Sequence, residues 1–163
     1  MHATSLARTS VGLAEVFPPE AILVGLKDRT KPGAIAELVH RLVALGHIRE
    51  DEEQAVAASI LAREKLGTTA LGNGIAFPHC RTSCTEKFVG AIGLEPAGVP
   101  FDAVDGEPVF SIFLLLAPLD GREQHYEVLG RIAAVGQDKS RRLQLRWFRT
   151  AEAVHHFLQE LDR

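Results

Sequence analysis

Cysteine is scarce: the 163 residues hold two, Cys80 and Cys84. Two thiols four positions apart cannot staple a small fold, so no disulfide framework is expected and a reducing cytoplasm fits the chain. An excess of one charge is also missing. Eighteen Lys and Arg against 21 Asp and Glu leave a formal charge of −3, without the basic face that nucleic acid or an anionic membrane would select. Long hydrophobic runs are absent as well. The strongest, Val109 to Leu119, is too short to span a bilayer as a helix and is interrupted by Ser111 and Pro118. No internal repeat, low-complexity tract or Pro/Gly/Ser linker divides the chain. A single domain over 13–163 is expected, behind a flexible leader at 1–12 that lacks the apolar core of a secretory signal.

What the chain does have is a readable alternation of periods. Ala21 to Val24 suits a short strand. Thr30 is placed to cap a helix whose apolar residues Ile35, Leu38, Val39, Leu42 and Val43 line one face, with Gly46 as a stop. Asp51 and Gln54 suggest a capping box for a second helix ending near Leu66-Gly67. Three apolar runs follow, at 75–77, 88–94 and 109–116, separated by turn signals such as Pro96-Ala97-Gly98 and Asp105-Gly106. They read as strands, the last buried on both faces. Asp120 and Glu123 suggest a box for a helix carrying Val128, Leu129, Ile132 and Val135 inward, with His125 one turn earlier on the same face. Residues 138–145 and a Thr150-capped segment complete the helices. The order β-α-α-β-β-β-α-α-α predicts an α/β fold with helices on both faces of a small sheet.

Among the seven histidines, His2 falls in the leader, His40 and His47 beside the outer side of the first helix, and His155 and His156 on the last. Surface or boundary positions account for those five. His79 differs because Pro78 removes a backbone donor just before it and biases Phe77 toward extended geometry, which suits a strand end. Glycines upstream can turn backbone N–H groups toward an anion, so His79 is a candidate nucleophile or base and, equally on this stretch alone, a plain turn histidine.

Other site classes fail on spacing. His79, Cys80 and Cys84 lack the second Cys/His pair of a structural zinc site, so no metal is expected. Gly72-Asn73-Gly74 is not followed by the Gly-Lys-Ser/Thr of a P-loop, a dinucleotide fingerprint breaks at Phe77, and no Gly-x-Ser-x-Gly elbow occurs.

The stretch Arg63-Glu64-Lys65-Leu66-Gly67-Thr68-Thr69-Ala70-Leu71-Gly72-Asn73-Gly74-Ile75-Ala76-Phe77-Pro78-His79 resembles the signature of EIIA domains of the bacterial phosphoenolpyruvate:sugar phosphotransferase system, of the fructose/mannitol and nitrogen-regulatory type. The similarity continues through Phe101 to Val109 and on to Glu123-Gln124-His125-Tyr126, covering roughly residues 13–161. It implies a three-layer α/β/α sandwich around a small mixed sheet, with His79 phosphorylated by HPr or its nitrogen-branch counterpart. It further implies that His79 reacts through Nε2 while a backbone acceptor holds Nδ1, that Arg63 lies near the phosphoryl group and that His125 is the second active-site histidine. Thr68, Gly72, Asn73 and Gly74 are then candidates for an anion-facing nest. No cofactor is implied. The partners implied are an HPr-like carrier and a separate EIIB or regulated protein, with neither nucleic-acid binding nor membrane insertion. The chain departs from the pattern at Cys80, where many relatives carry glycine, and at Tyr126, where leucine is common. The rival reading is a non-catalytic interaction domain of the same fold.

Overall fold

The computed structural model describes residues 11–163. Most of the leader expected at 1–12 lies outside them. The element order is α1 (Leu13–Val16), β1 (Ile22–Val24), α2 (Lys31–Ala44), α3 (Glu53–Leu66), β2 (Ile75–Ala76), β3 (His79–Arg81), β4 (Val89–Val99), β5 (Val109–Ala117), α4 (Arg122–Gln137), α5 (Lys139–Arg146) and α6 (Ala151–Leu161). Short 3-10 turns precede β1 and α3.

The five-stranded sheet is mixed. β1 runs parallel to β4, β4 antiparallel to β5, and β2 and β3 each run parallel to β5 along its other edge. β5 is central and buried on both faces, and its side chains divide by the strand's period of two. Ile112, Leu114 and Leu116 join Ile35, Leu38, Leu42 and Ile60 of α2 and α3. Phe113 and Leu115 join Val128, Ile132, Val154 and Leu158 of α4 and α6, with Leu13 and Phe17 closing the same side. Two apolar layers around one sheet give the three-layer α/β/α architecture.

Thr30 and Thr150 cap α2 and α6 as their positions predict, accepting from Gly33 N and Ala153 N. The two proposed capping boxes do not form. Glu52, not Asp51, turns back to a backbone N–H, that of Arg49, because a 3-10 turn precedes α3. α4 starts after Gly121, which takes the cap position itself at φ 83° and has no side chain to cap with. The turn expected at Pro96-Ala97-Gly98 is instead a bulge inside β4. Glu95, buried, accepts from Leu26 N and Ala97 N, which carries the strand through the irregularity to Val99. α1 was not legible as a helix. It is one turn long, and its first two N–H groups, of Leu13 and Ala14, donate to the Asp162 carboxylate just beyond α6.

The feature that positions the site is the broken edge strand. Ile75 pairs with Ser111 and Ala76 with Ile112, pairing stops at Phe77-Pro78, and it resumes with His79 opposite Leu115. Proline has no N–H for the ladder, so the edge is interrupted there. The Pro78 carbonyl still accepts from Leu115 N at 3.0 Å, which keeps the second segment in register.

Candidate active site

The break at Phe77-Pro78 frees the Phe77 carbonyl from the sheet, and it meets His79 Nδ1 at 2.8 Å. A carbonyl oxygen only accepts, so Nδ1 carries the hydrogen and, in the neutral ring, the lone pair lies on Nε2. His79 is 8% exposed. Burial is the main cause holding its pKa below the ordinary histidine value, and the positive charge of Arg63 adds to it, against the Phe77 carbonyl and Glu64. The neutral ring therefore dominates at neutral pH.

His125 comes from the first turn of α4, not solvated but buried, and its ring sits 5.1 Å from that of His79, edge to face at 77°. Burial, the nearby His79 and the Arg81 guanidinium push its pKa down to about 4. Its Nε2 is buried and has no hydrogen-bond partner. Tyr126 lies nearly parallel to the His125 ring, 6.1 Å away, and is itself exposed.

Arg63 occupies the last turn of α3 and donates through Nη1 to Gly67 O at 2.8 Å, holding the chain where the helix ends. The next residue, Glu64, is buried and accepts from Thr69 N and Thr69 Oγ1, while Lys31 Nζ stands 3.0 Å from it. A buried carboxylate needs such partners. Glu64 and Lys31 therefore fix the α3 terminus and the loop after it, and with them the place of Arg63. Glu64 stood in the quoted motif without a role, and Lys31, 33 positions earlier, gave no local signal. Arg81 also went unread. Strand alternation turns it away from Cys80, and it donates through Nη1 to Leu119 O at 3.3 Å.

The structure does not gather every candidate. His79 and His125 meet ring to ring at 5.1 Å, while Arg63, bonded to Gly67 O, acts on His79 through its charge. The glycine turn does not join them, because Ile75 and His79 are four residues apart along β5, roughly 13 Å of strand. Asn73 N donates to Asp105 Oδ2 at 3.1 Å and so faces an acid. Thr68 donates its hydroxyl to Phe101 O and accepts from Ala70 N, tying the loop after α3 rather than pointing to an anion. Cys80 is half-buried, and burial is the main cause raising its thiol to about 11, with Cys84 adding to it, so it is a poor nucleophile. Among the described residues no three His, Cys, Asp or Glu side chains gather into a metal-binding group, and no helix is long and apolar enough to cross a membrane.

Comparison with known proteins gives this geometry a family. Residues 15–161 match the family described as "Phosphoenolpyruvate-dependent sugar phosphotransferase system, EIIA 2". A Nitrogen regulatory protein of Bradyrhizobium diazoefficiens is 38% identical over 146 residues, covering 90% of this chain and 94% of that one. The crystal structure of Nitrogen Regulatory Protein IIA-Ntr from Neisseria meningitidis superimposes with a TM-score of 0.80 at 35% identity, covering 89% of this chain and 97% of that chain. The NMR structure of the complex of enzyme IIA-mannitol and phosphorylated enzyme IIB-mannitol from Escherichia coli matches with a TM-score of 0.71 at 25% identity, over 86% and 95% of the two chains. By the extent of the family match and the identity to these relatives, the chain belongs to the EIIA 2 family of the phosphoenolpyruvate-dependent sugar phosphotransferase system.

Proposed function

We propose that this protein is a cytoplasmic phosphocarrier that takes a phosphoryl group onto His79 Nε2 from an HPr-like phosphohistidine protein, and that its role is regulatory. The observation that carries the reading is the 2.8 Å contact of His79 Nδ1 with the Phe77 carbonyl, which fixes the tautomer and leaves Nε2 as the nucleophilic nitrogen. In transfer, the Nε2 lone pair forms the new N–P bond as the donor's N–P bond breaks, and the donor imidazole keeps that electron pair. No proton has to leave Nδ1 for the bond to form, so the Phe77 contact persists from reactant to product.

Such a transfer asks mainly for alignment and charge stabilisation. Phosphorylation brings nearly two negative charges to His79. Arg63 offers a planar fork of donors. The unpartnered His125 Nε2 offers a further donor in the tautomer that protonates it, and a dianion alongside favours that proton. Exposed apolar side chains frame the site: Leu66 one turn after Arg63, Tyr126 beside His125, and Leu119, whose carbonyl Arg81 engages. They suit the docking of a protein donor. The likeness to proteins described as nitrogen regulatory supports regulation as the output. The likeness to a IIA–IIB complex supports onward transfer to a separate protein.

The test is incubation with phosphoenolpyruvate, enzyme I and an HPr-type carrier. The protein should acquire an acid-labile, base-stable phosphate that His79→Ala abolishes, with nitrogen NMR assigning it to Nε2. No label from several cognate carriers, or a label on Nδ1, would overturn the reading.

A further inference from the structure

The Gly-Asn-Gly turn that does not reach His79 belongs to a second cavity at the other end of β5. Gly74 has φ 76°, and a Cβ there would stand 2.9 Å from Phe110 Cδ2. A Cβ on Gly98 would stand 3.2 Å from Phe110 Cε1. Two missing side chains thus make room for the Phe110 ring. On that ring lies the Arg146 guanidinium, 3.6 Å from its centroid, with the Trp147 ring 5.0 Å away. Arg146 Nε is buried without a hydrogen bond, and Arg146 takes part in none of the ion pairs formed among the described residues. Stacking satisfies the face of the guanidinium and leaves its planar edge of donors unmatched.

The cavity measures about 220 Å³, below the roughly 300–1,000 Å³ of sites for drug-sized ligands, so its occupant is small. Its walls balance Arg142 and Arg146 against Asp105 and Glu107. Arg142 is held by donating to Gly136 O, and Asp105 by accepting from Asn73 N and Glu107 N, so one charge of each sign is positioned before anything binds. A simple anion would meet two carboxylates, and a simple cation two guanidiniums. A molecule carrying one charge of each sign meets both favourably.

We propose that this cavity binds a free α-amino acid, with its carboxylate on the donor edge of Arg146 and its ammonium toward Asp105 and Glu107. The site shares no residue with the His79 centre, so it stands apart from the phosphocarrier reading.

The test is amide NMR titration of the full unphosphorylated chain with free L-amino acids singly, alongside propionate and ethylamine as the separated charges of alanine. Saturable shifts are expected at Asn73–Ile75 and Glu107–Ser111 for at least one amino acid, and not for propionate or ethylamine. Arg146→Gln should weaken binding about tenfold or more. Glu107→Gln should weaken it less, and His79→Ala should leave it unchanged. A dispersed spectrum of each variant verifies folding. Absence of saturable shifts up to about 10 mM of every amino acid, equal shifts from propionate alone, or unchanged affinity in Arg146→Gln would overturn the proposal.

Discussion

The two ends of β5 handle buried nitrogen in opposite ways. Beside Leu115, two imidazoles are taken out of water and respond by losing charge, with His125 brought to about 4 and His79 lowered in the same direction. Beside Phe110, an arginine is packed against the same strand, and an arginine cannot shed its proton in a protein. The fold instead gives it an aromatic face at 3.6 Å. The difference teaches what each end is suited for: a neutral nucleophile that becomes charged only on reaction at one, and a permanent cation awaiting a charged ligand at the other.

The largest effect expected from breaking this contrast is at Arg63, the permanent cation of the imidazole end. Arg63→Ala removes a donor fork from the place where negative charge develops, and labelling of His79 by a phosphorylated carrier should slow by about 10²–10³-fold. Rapid-quench transfer rates measure it, with circular dichroism to verify the fold. An unchanged rate would reduce Arg63 to the tether that its bond to Gly67 O already makes it.

Next in size is an acid effect confined to the imidazole end. The unfolded chain protonates His125 near its ordinary value of 6.5, whereas the folded chain does so only at about 4. Between those values the unfolded state holds more protons, so stability rises with pH, is complete above about 6.5 and is lost as pH falls toward 4. The shift corresponds to about 3 kcal/mol, and His79 adds to it with the same sign. Urea midpoints followed from pH about 7 to about 4.5 should fall in the wild type and fall distinctly less in His125→Leu. Equal losses in the two proteins would show that the acid sensitivity arises elsewhere.

How far the sequence foretold these ends differs for a physical reason. The layers were legible because β5 is apolar except at Ser111 and α2 and α6 carry clean helical periods under threonine caps. The place of His79 at a strand end was legible because proline acts locally, but the return of pairing at His79–Arg81 was not, since it depends on the register with β5. The role of Glu64 was not legible, since its partner Lys31 lies across the fold. The glycine turn was assigned to the wrong neighbourhood for the complementary reason. Sequence proximity to His79 suggested contact, but an extended strand carries five residues well away from one another, and Asn73 faces Asp105 instead. α1 depends on Asp162, 149 residues from Leu13, and no local pattern announces it.

The smallest effect separates the two ends most cleanly. Gly74→Ala places a Cβ 2.9 Å from Phe110 Cδ2 on a backbone at φ 76°, where an L side chain is strained. The backbone strain costs about 1 kcal/mol, and the crowding of a packed ring brings the total to about 2 kcal/mol, read as a lower urea midpoint with an unchanged slope. Phe110 must shift, and with it the face on which Arg146 lies. Because the imidazoles are four register positions along β5, labelling of His79 should keep its rate within about twofold. If the rate instead falls together with the midpoint, the turn acts on His79 after all, and the two ends of the strand work as one site.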